Sequence, residues 1–155
     1  MKKTVSLLFA CIFIACALCA CGGKTADLNA VLKEINTKYP SQTAMKELTD
    51  VSELKKYYSI DEADVNQFAA EITSDSSAAP VEIVLVEAKD TAAADKVKTQ
   101  LDRRFDTIYS QYASYSADQL AVIEVCKVEK QGSYVTMVVS ENYSGIMEIV
   151  NAAIK

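Results

Sequence analysis

Apolar side chains are used in three ways along this chain. An uncharged, mostly apolar run fills residues 5–20 behind Lys2 and Lys3; beyond it, stretches with apolar residues three and four apart alternate with short β-branched runs. The first such stretch opens at Asp27, a good N-cap, and aligns Leu28, Val31, Leu32, Ile35 and Tyr39 until Pro40 stops it. Lys33, Glu34 and Lys38 fall on its other side, as expected of a helix packed on a core. Residues 41–49 read as a polar connection carrying Met45 and Leu48. Asp50 and Glu53 then have the spacing of a capping box, for a short helix through Val51, Leu54 and Tyr57. Residues 64–73 fit two periods: Val65, Phe68, Ala69 and Ile72 suit a helix, while Phe68, Ala70 and Ile72 suit one face of a strand. A strand is expected, because a hairpin partner follows the loop at 74–80.

That partner, over 81–88, contains Ile83, Val84, Leu85 and Val86, apolar on both faces and therefore read as a central strand. Asp90 or Thr91 caps a long helix with Ala94, Val97, Leu101, Phe105, Ile108 and Tyr112 along one side. Residues 122–129 and 134–140 read as a hairpin turning at Gly132, and Ser140 as the cap of a last helix burying Ile146, Ile149, Val150 and Ala153. The predicted order is α-α-β-β-α-β-β-α. It implies an α+β fold, with a four-stranded antiparallel or mixed sheet covered by helices.

The apolar run at the start changes the setting. It is short of the roughly 20 residues of a spanning helix and carries a basic flank, so it reads as a signal peptide. Its end, Leu18, Cys19, Ala20 and Cys21, resembles the bacterial lipobox, with Cys19 an unusual occupant of the middle position. The likeness implies diacylglycerol on Cys21 and cleavage before it; the alternatives are cleavage without lipid and an uncleaved anchor helix. Two acyl chains hold a protein stably at a bilayer where one does so only marginally. The expected organisation is a leader over 1–20, a lipidated cysteine and short tether over 21–27, and one domain over 28–155. Residues 22–26 span at most about 17 Å when extended, which keeps the domain near the membrane.

With the leader gone, Cys11, Cys16 and Cys19 leave with it and Cys126 is the single free thiol, so no internal disulfide is expected. Removing Lys2 and Lys3 from 16 basic residues leaves 14 against 21 acidic ones, a formal charge of −7. That balance disfavours nucleic acid and anionic headgroups as partners. The chain has no histidine, which excludes Ser-His-Asp and Cys-His catalysis, HExxH zinc sites and histidine pH switches. No metal-ligand cluster and no phosphate-binding glycine loop are seen, and no metal or cofactor is expected.

Taken with this order of elements, Tyr58-Ser59-Ile60-Asp61, Glu82-Ile83 through Lys89-Asp90, Val97-Lys98, Leu101, Arg103 or Arg104, and Gly132-Ser133-Tyr134-Val135 form a distinctive combination. The combination resembles an uncharacterised family of small Gram-positive bacterial lipoproteins, a domain of unknown function, over roughly 28–152. Ser59 stands where that family carries glycine, and a proline often found after the long helix is missing near Ser116. The resemblance implies an exported, lipid-anchored protein on the outer face of the cell membrane. It brings no activity.

Candidate chemistry is sparse. Glu82, Glu87, Lys89 and Asp90 gather around the central strand, where paired carboxylates can serve general acid and base work, but the plainer reading is a helix cap and solvated strand ends. No catalytic residue is assigned. Arg103 and Arg104 offer forked contacts to carboxylate or phosphate, though neighbours on a helix point about 100° apart. Tyr109, Tyr112 and Tyr115 form a ladder on which Tyr112 continues the core series, leaving Tyr109 and Tyr115 for glycan or protein contacts. The expected function is a non-enzymatic binding module for an envelope protein or cell-wall component. The alternative is a hydrolase or transferase built on carboxylates and tyrosines.

Overall fold

Side-chain caps and strand alternation set the elements of the chain, seen in a computed structural model that describes residues 25–74, 80–114 and 116–155. The expectations for residues 1–24, for the loop tip at 75–79 and for Tyr115 lie outside the described residues. The elements are α1 (Leu28–Lys38), β1 (Met45–Leu48), α2 (Val51–Tyr58), a 3-10 turn (Glu62–Asp64), β2 (Val65–Thr73) and β3 (Glu82–Ala88), followed by α3 (Thr91–Ala113), α4 (Ala117–Glu124), β4 (Lys127–Gln131), β5 (Tyr134–Val139) and α5 (Tyr143–Ala153). Asp27 accepts from the amides of Asn29 and Ala30, Asp90 from Ala93, and Asp50 and Glu53 form the full capping box. Each satisfies amides that a helix start leaves without partners.

The class is α+β, and the sheet has five antiparallel strands in the order β1-β2-β3-β5-β4, where four were expected. The extra strand is β1, drawn from the segment read as a polar connection. Four residues are too few to show a period, and β1 exists because the second half of β2 pairs with it, from Met45 opposite Thr73 to Leu48 opposite Ala70. A second correction concerns 122–129. Val122 belongs to α4, whose start is capped by Ser116 accepting from the Gln119 amide at 3.4 Å, and the strand begins only at Lys127. The apolar run through Leu120 to Val125 suits either period, and the cap decides. Ser140 does not cap α5 directly; its Oγ accepts from the amide of Asn142, the residue at the cap position.

β3 lies at the centre, buried on both faces, and its alternation feeds two cores. Val84 and Val86 meet Ala94, Val97 and Leu101 of α3 and Leu54 and Tyr58 of α2. Ile83 and Leu85 meet Leu28, Val31, Leu32 and Ile35 of α1 and Ile146, Ile149 and Val150 of α5. The result is three layers, with helices on both faces of the sheet. Ser59, at the end of α2, has φ +59°, a left-handed conformation that glycine adopts without steric cost and a serine rarely takes. Gly132, at the first central position of the β4–β5 turn, has φ +62°, as a type II′ hairpin requires.

Candidate functional site

Strand alternation disperses the carboxylates that the sequence placed together. Glu82 points to the α2 and α3 face. Arg104 grips it with Nη2 on Oε1 and Nε on Oε2 at 3.1 Å, and the Tyr58 hydroxyl donates to Oε2 at 3.4 Å. Burial and the neighbouring Glu82 carboxylate hold the Tyr58 phenol well above its usual range, and Glu82 raises Arg104 further. Arg104 is therefore occupied, while the exposed Arg103 donates to Gln100 at 3.2 Å.

Glu87 lies on the opposite face and at the other end of β3. It accepts from Gln67 Nε2 at 2.6 Å, and the same amide holds the start of the domain: Nε2 donates to the Ala26 carbonyl at 2.7 Å and Oε1 accepts from the Leu28 amide at 3.2 Å. The Ala26 amide in turn donates to the Tyr134 hydroxyl at 3.2 Å. Ala26, expected to be part of a free tether, is instead buried against the beginnings of β2 and β5. Asp90 is the cap already described, and Lys89 is exposed.

At the far end of the sheet, where β2 and β5 finish and β3 begins, lies a cleft of about 220 Å³. Tyr39, Pro40, Ser41 and Thr43 form one wall after α1, Val122 and Ile123 of α4 another, and Ser140, Asn142 and Ile146 a third, with Ile83 and Glu71 rising from the sheet. Gly145 of α5 shapes the Tyr39 wall, because a β-carbon there would overlap the tyrosine ring and hydroxyl. Glu71 is 5% exposed. Its Oε2 accepts from Asn36 Nδ2 at 2.9 Å, and Oε1 has no partner among the described residues. Desolvation pushes its carboxyl above the usual range; the Asn36 bond opposes this and the Glu47 carboxylate adds to it.

The sequence reading missed Glu71 because the period of 64–73 was ambiguous, so no face could be assigned. Once β2 is a strand, Gln67, Ala69 and Glu71 share the α1 side, and an acid on an inward row is a legible signal. Tyr109 is 38% exposed with its hydroxyl 3.5 Å from Glu124, and Tyr112 is half-buried beside Ile108, Ile123 and Val139 rather than fully enclosed. Neither tyrosine nor either arginine lines the cleft. Cys126 precedes β4 rather than lying within it; its thiol is buried, donates to the Val122 and Ser140 carbonyls at 3.2 and 3.5 Å, and is raised by desolvation, an unreactive setting.

Among the described residues no group of three or more acidic, cysteine or histidine side chains is placed to hold a metal, and no helix is long and apolar enough to cross a membrane. Comparison with curated proteins and with solved structures finds no match. The model of one family, described as Domain of unknown function (DUF4358), does match, over residues 38–140, which takes in all five strands and α2 to α4 but leaves α5 and nearly all of α1 outside. With well over half of its length matched, the chain belongs to this family of uncharacterised domains.

Proposed function

We propose that the protein is an exported lipoprotein, held at the outer face of a bacterial membrane through diacylglycerol on Cys21, and a non-enzymatic module that presents its cleft to an envelope protein or cell-wall component. The observation that carries this reading is the polarity of the domain. Ala26, near the start of the described residues, sits at one end of the sheet, held by Gln67 and Tyr134, and the cleft opens at the other. From Cys21 to Ala26 an extended chain reaches about 17 Å. From Gln67 to Thr73 along β2 the sheet rises about 20 Å. A domain tethered so closely at Ala26 keeps the cleft turned away from the bilayer, toward the wall.

The alternative, a hydrolase or transferase using a carboxylate and a tyrosine, draws on Glu71 and Tyr39 both lining the cleft. Binding is favoured because the other carboxylates near β3 are committed elsewhere: Glu82 to Arg104, Glu87 to Gln67 and Asp90 to a helix cap. Reporters at Gln42→Cys and Ser133→Cys test the arrangement in the processed full-length protein reconstituted with nitroxide-bearing lipids. The expectation is strong quenching at position 133 and little at 42, with Cys21→Ser left as an uncleaved or freely released precursor without lipid. Equal quenching at the two positions, or normally lipidated Cys21→Ser protein by mass spectrometry, would overturn the reading.

A further inference from the structure

We infer that the cleft receives an alkylammonium group, such as a lysine-like side chain or a free amine of a wall peptide, and that Glu71 is the residue that binds it. The inference rests on the cleft being the binding site and adds the chemical class of its ligand. Among the described residues no buried side-chain oxygen or nitrogen lacks a hydrogen-bond partner, yet Glu71 Oε1 makes no bond to any of them. That oxygen is therefore not sealed in the core, and Glu71 is among the residues that line the cleft.

A carboxylate so nearly buried requires a counter-charge, and none is paired with it among the described residues. Asn36 gives one neutral hydrogen bond, and the residue directly across the β1–β2 ladder is Glu47, another acid. No lysine or arginine is among the described residues lining the cleft, and a second acid, Glu141, stands exposed among them. Anions are disfavoured by both carboxylates. An ammonium provides a charge-assisted donor to Oε1, and its methylene stem has Ile83, Val122 and Ile146 to lie against. A planar guanidinium would need two free oxygens for its forked contact, and Asn36 already holds one.

The test is a titration of isotope-labelled full-length protein in neutral detergent micelles, followed by amide chemical shifts, with n-butylammonium, its neutral isostere N-butylacetamide, and butyrate at matched ionic strength. Saturable shifts at Glu71, Ile83 and Ser140 are expected with butylammonium, at least tenfold weaker with N-butylacetamide and absent with butyrate. Glu71→Gln should weaken the ammonium at least tenfold, while Glu141→Gln changes it less than threefold. The comparison of three titrants on the unaltered protein decides the matter even if a variant folds poorly. Equal affinity for the neutral isostere would leave the cleft as a binding site and end the cation inference. No saturable response to butylammonium would also end it, and a loss confined to Glu141→Gln would move the charge to the cleft mouth.

Discussion

Two glutamates, one on each face of the same sheet, are buried to the same degree: Glu71 at 5% exposure and Glu82 at 4%. Their surroundings differ. Glu82 faces α2 and α3, where Arg104 meets both of its oxygens and Tyr58 adds a donor. Glu71 faces the α1 side, where one amide meets one oxygen. Burying a charge is tolerable when it is paired and costly when it is not. The first acid is thus accounted for by the fold, as a link between β3 and α3. The second has no charged partner among the described residues and lines the cleft, which is why the ligand proposed above is assigned to it.

The sharpest way to break this comparison is to add an acid where no partner exists. Val84 is fully buried, two residues along the strand from Glu82 and on the same face. Val84→Asp should cost several kcal/mol, of the order of the roughly 5 to 15 kcal/mol that holds a domain together, and abolish a cooperative melt. A melting temperature within a few degrees of the unaltered protein would refute the two-sided core.

Removing the partner of Glu82 comes next. Arg104→Met leaves a buried carboxylate bound only by a tyrosine hydroxyl, and denaturant unfolding should show a loss of about 2–3 kcal/mol. This lies below the 3–5 kcal/mol of fully enclosed pairs, because the arginine side chain is 37% exposed. Adding Glu82→Leu should recover most of that loss, since an apolar pair can replace a buried ion pair without penalty.

The smallest effect should come from Glu71→Gln, and its sign is opposite. Glu71 titrates above its ordinary value of 4.5 in the folded state, so between that value and its folded pKa the native protein holds more protons than the unfolded chain. Stability from this group is present at low pH and is lost as pH rises through the folded pKa. Glu71→Gln should remove that decline and leave the protein as stable or up to about 1 kcal/mol more stable at pH 7–8, while keeping the contact with Asn36. A loss of 2 kcal/mol or more in urea at pH 7.5 would show that Glu71, like Glu82, is a structural acid.

Much of the architecture was legible from residues alone because it rests on local rules. Asp27, Asp50 and Asp90 stop the chain from being anything but a helix beyond them, and the β-branched run of β3 has nowhere to go but the middle of a sheet. The acidic balance and the absence of histidine are likewise properties of composition. Only the tertiary structure decided the rest. β1 is too short to announce itself and forms because the end of β2 pairs with it, while Val122 joined a helix because Ser116 caps one upstream. The site was invisible for the same reason: the Asn36 and Tyr39 pair, Glu71 and Ser140 come from three distant parts of the chain, and none is unusual by itself. Burial turns Glu71 from an ordinary acid into a demanding one, and burial is a property of everything packed around a residue, which no local pattern encodes.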